Sequence, residues 1–341
     1  MLQRSETANP EVSIIVPARN EEASLADCLR SLVAQSEVPQ TSVSFEIIVV
    51  DDGSTDRTRE IAESFAGVRL ISAPPLPPGW TGKNNAVAAG AAVARGEWLL
   101  FTDADTVHVA GSLARAVAEA TREKADLLSY SPEQIVDSFA ERIVMPVVFA
   151  ELAMEYPPAR VRDDNSGVVA ANGQYILVRR EAYNHIRGHA AVAGEILEDV
   201  ALARAFRRAG LRIYFRYGGD AVRTRMYRNW AQLRDGWTKN LALLFPRPAR
   251  RAFGLTGWWV LAWVSLPVPV IGFALFSRVK RANFSWRNTL LATLFGAPVF
   301  SYLLMRSSLA HARGTVSWKG RAYLRPARAS FAEYRKLRTD N

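Results

Sequence analysis

The chain has 341 residues and a net charge of +10, from 43 Lys and Arg against 33 Asp and Glu. Hydrophobic residues make up 49% and charged residues 22%, which excludes wholesale disorder and collagen-like repeats and leaves room for one large domain or two modest ones. A single cysteine, Cys28, excludes an internal disulfide framework and any cysteine-built zinc or iron–sulfur site.

The β-branched run Val12-Ser13-Ile14-Ile15-Val16, closed by Pro17, predicts a buried strand. Leu25, Leu29, Leu32 and Val33 recur at helical spacing within Glu21–Ala34, with acids in the first turn where the helix dipole favours them. Phe45–Val50 predicts a second strand, ended by Asp51-Asp52-Gly53-Ser54. Asp56–Phe65 then reads as a helix and Val68–Ile71 as a short strand. The proline-rich run from Pro74 to Gly79 is too rigid for either regular element. An Ala-rich helix is expected over Asn85–Arg95 and a strand over Trp98–Thr102, ending at Asp103. Alternating strands and helices predict an α/β fold, a mostly parallel sheet with helices on both faces.

The second half differs in character. Residues 1–200 hold 29 acids and 17 bases, whereas residues 201–341 hold 4 acids and 26 bases. That basic half also contains two uncharged segments, Gly254–Phe276 and Asn288–Met305, the first of 23 residues and the second of 18. A bilayer core needs about 20 apolar helical residues, so the pairing of apolar runs with positive charge points to membrane rather than nucleic acid. Pro267 and Pro269 should kink the first segment. The linker carries four basic residues, Arg278, Lys280, Arg281 and Arg287. The flanks carry nine: Lys239, Arg247, Arg250, Arg251, Arg306, Arg313, Lys319, Arg321 and Arg325. The bias favours a hairpin with both ends cytoplasmic, with one-leaflet insertion as the live alternative and two buried core helices of a soluble protein as the bland one. The expected domains are 1–245 for the α/β part, 246–310 for the hairpin and 311–341 for a basic cytoplasmic tail.

Ligands of an open α/β sheet bind beyond the carboxyl ends of its strands, and three polar clusters sit there: Pro17–Glu21, Asp51–Asp56 and Asp103-Ala104-Asp105. No G-x-G-x-x-G follows the first strand and there is no P-loop, which argues against dinucleotide dehydrogenases and P-loop NTPases. Asp103 and Asp105, two apart on extended backbone, can present two hard oxygen donors to one side, suited to Mg²⁺ or Mn²⁺; the bland alternative is a helix cap. His108 reads as a surface histidine, with metal contact as the lesser alternative.

The combination is more specific than its parts. Val49–Asp56 (V-V-D-D-G-S-T-D) followed by D-A-D resembles the family 2 glycosyltransferases of the GT-A fold. Pro77–Ala86, Asn172-Gly173-Gln174, Gly188-His189, Ile196–Val200, Gly236–Asn240 and Trp318–Arg321 narrow the resemblance. The subgroup they resemble is membrane-associated and contains the diaponeurosporenoate (carotenoid) and hopanoid-associated glycosyltransferases. The Q-x-x-R-W of processive members is absent, which argues against processive polymerisation.

The resemblance implies a set of roles. Pro17, Glu21, Asp51 and Asp52 would surround the nucleotide base and ribose, and Lys83 would reach the diphosphate. Asp105, helped by Asp103, would hold the metal. Gly173 and Gln174 would line the sugar–acceptor pocket, and Trp237 and Lys239 would cover the diphosphate. Asp199, at the start of a helix over Val200–Ala209, would be the catalytic base, with Glu198 beside it. The expected activity is metal-dependent, inverting transfer of a hexose from a nucleotide sugar such as UDP-glucose to a lipid acceptor at the cytoplasmic face of a membrane. Two readings remain open beside it: a polyprenyl-phosphate hexosyltransferase, and a non-catalytic membrane scaffold that binds nucleotide sugar.

Overall fold

The computed structural model describes residues 9–37, 43–264, 269–318 and 321–322. In chain order the elements are β1 (Val12–Ala18), α1 (Leu25–Val33), β2 (Phe45–Asp51), α2 (Thr58–Glu63), β3 (Val68–Ser72), α3 (Gly82–Val93), β4 (Trp98–Phe101), β5 (Thr106–His108), α4 (Ser112–Arg122) and β6 (Leu127–Ser131). There follow β7 (Glu133–Gln134), α5 (Phe139–Glu155), α6 (Pro158–Arg162), β8 (Ile176–Arg179), α7 (Arg180–His185), α8 (Glu198–Arg208), β9 (Ile213–Tyr217) and β10 (Val222–Thr224). The helices α9 (Trp230–Leu244), α10 (Pro248–Val264), α11 (Pro269–Lys280) and α12 (Trp286–Arg313) come after them. Two compact units result, one from Met1–Glu133 with Pro158–Thr224, the other from Gln134–Pro157 with Arg225–Asn341.

The first unit is built on a seven-stranded sheet of order β3-β2-β1-β4-β8-β6-β9. All neighbouring pairs are parallel except those of β8, which runs antiparallel to β4 and β6. Helices cover both faces, because strand side chains alternate between them. Ile14 and Val16 join a core with Leu25, Cys28, Leu29 and Leu32 of α1. Ile15, between them, meets α3 on the other face; a Cβ at Gly90 would come 2.5 Å from its Cγ2, so only glycine lets that helix approach so closely. Pro17 does not end β1, which runs on to Ala18. Pairing with β4 stops at Ile15↔Phe101, whereas pairing with β2 continues, so the proline lies where one flank of the strand is already released. The order of β2, β1 and β4 makes β1 the switch point of the sheet, and the three predicted clusters follow the ends of these three strands.

The second unit packs α5, α9, α10, α11 and α12 around one core. Ile143, Val147 and Val148 of α5 meet Leu233, Trp237 and Leu241 of α9 and Phe300, Leu303 and Leu304 of α12. This shared core is why the chain divides near 134, 157 and 224 rather than at the expected boundary of 245. At Gly296, a Cβ would lie 2.2 Å from the Ile143 carbonyl, so α12 lies directly on the α5 backbone. Buried Glu151 is neutralised by Arg251 at 2.8 Å and Arg278 at 2.7 Å.

The first apolar segment is divided between α10 and α11; Pro269 opens α11, a position that costs it no hydrogen bond. Pro267, Lys319 and Arg325, like most of the expected 311–341 tail, lie outside the described residues. The second segment is longer than expected. Ser285 caps α12 through its bond from the Asn288 N–H, and left-handed Gly314 ends it after 28 residues. Among the described residues, α12 is the helix long and apolar enough to cross a membrane. Many large apolar side chains of this unit face outward, including Phe253, Trp258, Trp263, Phe273, Trp286 and Phe295.

Candidate active site

The loops after β1 and β2 are tied to each other. Arg19 donates from Nη1 to the Asp52 carbonyl at 2.7 Å, and the Thr55 N–H donates to Asn20 Oδ1 at 2.8 Å. The Glu21 N–H donates to Thr58 Oγ1 at 2.7 Å. Left-handed Asn20 and Gly53 make the two turns possible. Asp51 and Asp52 are both buried, and Asp51 Oδ1 accepts the Ser54 N–H at 3.0 Å, closing the β2 turn. Pro17, Glu21, Asp51 and Asp52 therefore stand together on one sheet edge.

Next to β4, Asp103 and Asp105 lie in a turn between β4 and β5, not on the extended backbone that the sequence led us to expect. Thr106 causes the turn, donating both its N–H (3.3 Å) and its hydroxyl (2.8 Å) to the Asp103 carbonyl. Thr224 of β10 donates its hydroxyl to the Asp105 carbonyl at 3.1 Å, and Gln174 Nε2 donates to Thr224 Oγ1 at 3.2 Å. His108 is not a surface histidine but is 6% exposed, with Nε2 3.1 Å from Thr102 Oγ1 and 3.2 Å from Thr106 Oγ1. Burial pushes its pKa down to about 3, so it stays neutral. Gln174 is turned inward onto this network. Its Oε1 is buried without a hydrogen-bond partner.

A third cluster sits where α3 and α8 begin. Lys83 reaches Asp103 Oδ1 at 2.7 Å and Glu198 Oε1 at 2.6 Å. Burial opposes its charge, but the two carboxylates outweigh it and hold the ammonium well above its usual pKa. Asp199 accepts the Gly173 N–H on Oδ2 at 2.9 Å and the Val200 N–H on Oδ1 at 2.8 Å. Burial first, then the neighbouring Glu198 charge, raise its pKa from 3.8 to about 6. That value suits a base poised near neutral pH. A Cβ at Gly173 would lie 3.1 Å from Lys83 Nζ and 3.3 Å from Glu198 Oε1, so glycine there keeps the centre open.

The first unit thus gathers Lys83, Asp103, Gly173, Glu198 and Asp199. Trp237 and Lys239 belong to α9 of the second unit. Trp237 is a core side chain, stacked edge-on to Tyr227 and Phe149. The sequence reading missed the hydroxyls of Thr102, Thr106 and Thr224. Small polar residues at strand ends were the available signal, but Thr224 is brought to Asp105 only by the long-range β5–β10 pairing.

The donor set fits a divalent cation. Asp103 already accommodates a cationic group at 2.7 Å, and carboxylate oxygens are the hard donors that Mg²⁺ and Mn²⁺ take. Among the described residues no group of three or more His, Cys, Asp and Glu could hold a metal, so the remaining ligands would be water and substrate oxygens.

A mostly parallel sheet switching direction at β1, with acidic turns after β2 and β4, is the GT-A architecture. It is similar to a mannosyltransferase from Pyrobaculum calidifontis, solved in complex with GDP-Man and Mn²⁺ (TM-score 0.50, 19% identity, covering 90% of this chain and 88% of that one). The chain belongs to glycosyl transferase family 2, whose model matches residues 13–187, just over half of its length. Among curated relatives it is similar to the 4,4'-diaponeurosporenoate glycosyltransferase of Staphylococcus haemolyticus, 31% identical over 256 residues. That match covers 71% of this chain and 64% of the relative. The protein of the same name from Staphylococcus aureus (strain USA300) is 29% identical over 243 residues, 68% of this chain and 60% of the relative. The chain therefore spans less than two thirds of the length of these relatives.

Proposed function

We propose that this chain is a membrane-associated, inverting glycosyltransferase that moves one hexose from a nucleotide sugar, UDP-glucose in the leading case, to a lipid hydroxyl or carboxyl group. The observation that carries the proposal is the meeting of Lys83, Asp103, Glu198 and Asp199 around Gly173. Pro17, Glu21, Asp51 and Asp52 bind the base and ribose. Lys83, a mobile point charge on a four-carbon stem, turns from its carboxylate partners to the diphosphate. Asp105 and Asp103 would hold Mn²⁺ or Mg²⁺, which would supply positive charge to offset that of the departing nucleoside diphosphate. Asp199 accepts the proton of the acceptor hydroxyl as its oxygen attacks the anomeric carbon, and Glu198 maintains the negative field that keeps Asp199 basic. One base and no acid is the inventory of an inverting displacement.

The lipid acceptor is supported by the names of the curated relatives and by the outward-facing aromatic side chains of α10, α11 and α12. Basic residues flanking these helices favour an anionic cytoplasmic leaflet. The test is to incubate the detergent-solubilised protein with a panel of UDP-sugars, Mn²⁺ and total lipid extract, and to identify products by mass spectrometry. A new glycolipid is expected. Transfer only to a polyprenyl phosphate would favour the alternative enzyme, and intact donor with no product would favour the non-catalytic scaffold.

A further inference from the structure

Asn84 follows Lys83 at the start of α3 and is fully buried. Its Nδ2 donates to three backbone carbonyls of a single loop: Val192 at 2.8 Å, Ala193 at 2.9 Å and Glu195 at 3.2 Å. An amide nitrogen has two hydrogens, so one of them is shared. The Oδ1 of the same amide is buried without a hydrogen-bond partner, a cost accepted for the sake of the donors. Two further contacts close the clasp. The Thr81 N–H donates to the Ala193 carbonyl at 2.9 Å, and Gly194 approaches so near that a Cβ would lie 2.9 Å from the Gly79 carbonyl. The clasped loop leads directly into α8, whose first two residues are Glu198 and Asp199.

We infer that Asn84 is a positioning residue for Asp199, fixing the entry of the acceptor-side helix α8 against the donor-side helix α3. The inference rests on the reading of Asp199 as the base. Lys83 and Asn84, adjacent in sequence, thus divide two tasks: Lys83 meets Glu198 through its side chain, and Asn84 holds the backbone that delivers Glu198 and Asp199. A carboxylate displaced by about 1 Å from its proton can cost on the order of 10²-fold in rate. Donor binding, which uses the β1 and β2 turns and Lys83, does not pass through this loop.

The test uses the full chain with Asn84→Ala, which removes the donors without adding bulk, and Asn84→Asp, which is isosteric but sets acceptor oxygens against the three carbonyls. Three quantities are measured: kcat, nucleotide-sugar affinity by calorimetry, and hydrogen exchange of the amides of 192–199. For Asn84→Ala we expect faster exchange there, kcat lowered at least tenfold and donor affinity within about twofold of wild type. Asn84→Asp, if it folds, should lose more; if it does not, Asn84→Ala decides alone. Loosened exchange with unchanged kcat would overturn the inference, as would donor affinity lost in step with kcat, or unchanged exchange. Asp199→Asn runs in parallel. If it retains turnover, the reading of the base has failed. If it is inactive while Asn84→Ala is fully active, only the clasp has failed.

Discussion

The raised pKa of Asp199 gives one substitution two opposite consequences. Burial and the Glu198 charge shift its carboxyl from 3.8 to about 6. At 1.36 kcal/mol per unit, the folded state disfavours the charged form by roughly 3 kcal/mol. Between pH 3.8 and about 6 the folded protein binds a proton that the unfolded chain has released, so stability falls as pH rises through that window and the full cost is present above it. Asp199→Asn removes the charge and therefore that cost. It also keeps only one of the two acceptor oxygens that meet the Gly173 and Val200 N–H groups, a loss of about 1 kcal/mol. The net expectation at pH 7.5 is a gain of about 1–2 kcal/mol, a rise in Tm of roughly 2–8 °C for a unit of this size. The gain should vanish at pH 4. Turnover should fall about 10²–10⁴-fold, as for loss of a positioned base, with donor affinity nearly unchanged. In the wild type, kcat should decline with acid below pH 6. Thermal unfolding at the two pH values and steady-state kinetics make the measurement. A variant that is active, or one destabilised equally at both pH values, would rule out this role for Asp199.

Lys83→Met should weaken donor binding about 10–100-fold by calorimetry, since it removes the point charge proposed to meet the diphosphate and leaves Asp103 and Glu198 without their shared partner. Thr106→Val, which keeps shape but removes the hydroxyl donor to the Asp103 carbonyl and leaves only the backbone N–H, should weaken Mn²⁺ binding measured by electron paramagnetic resonance, and Thr106→Ser should restore it. Excess EDTA should abolish wild-type turnover; full activity in its presence would remove the metal from the account. The protein should stay in the membrane fraction through a high-salt wash, because its outward aromatic side chains bind by burial and not by charge.

Where strand and helix alternate locally, the sequence was a sufficient guide. The apolar β1 run, the acidic ends of β2 and β4 and the Ala-rich α3 lie within a residue or a few of where the pattern puts them, because burial on both sheet faces demands continuous β-branched strands. The antiparallel strand β8 carries no local mark of its direction, which follows from where the chain re-enters the sheet beside β4. Nor does the division of the chain, since the core joining α5 to α12 links residues far apart in sequence. Motif matching singled out Lys83, Gly173 and Asp199, and the fold brings the three together. That Lys83 bridges Asp103 to Glu198, and that Asn84 holds the loop before α8, are long-range facts that only the folded chain displays.

Transfer of a hexose with inversion leaves its mark in the anomeric configuration of the product. The purified protein would be supplied with UDP-α-glucose, Mn²⁺ and the lipid acceptor found by mass spectrometry, and the glycolipid's anomeric proton read by nuclear magnetic resonance. A single attack assisted by Asp199 predicts a β-linked glucose; an α-linked product would contradict it.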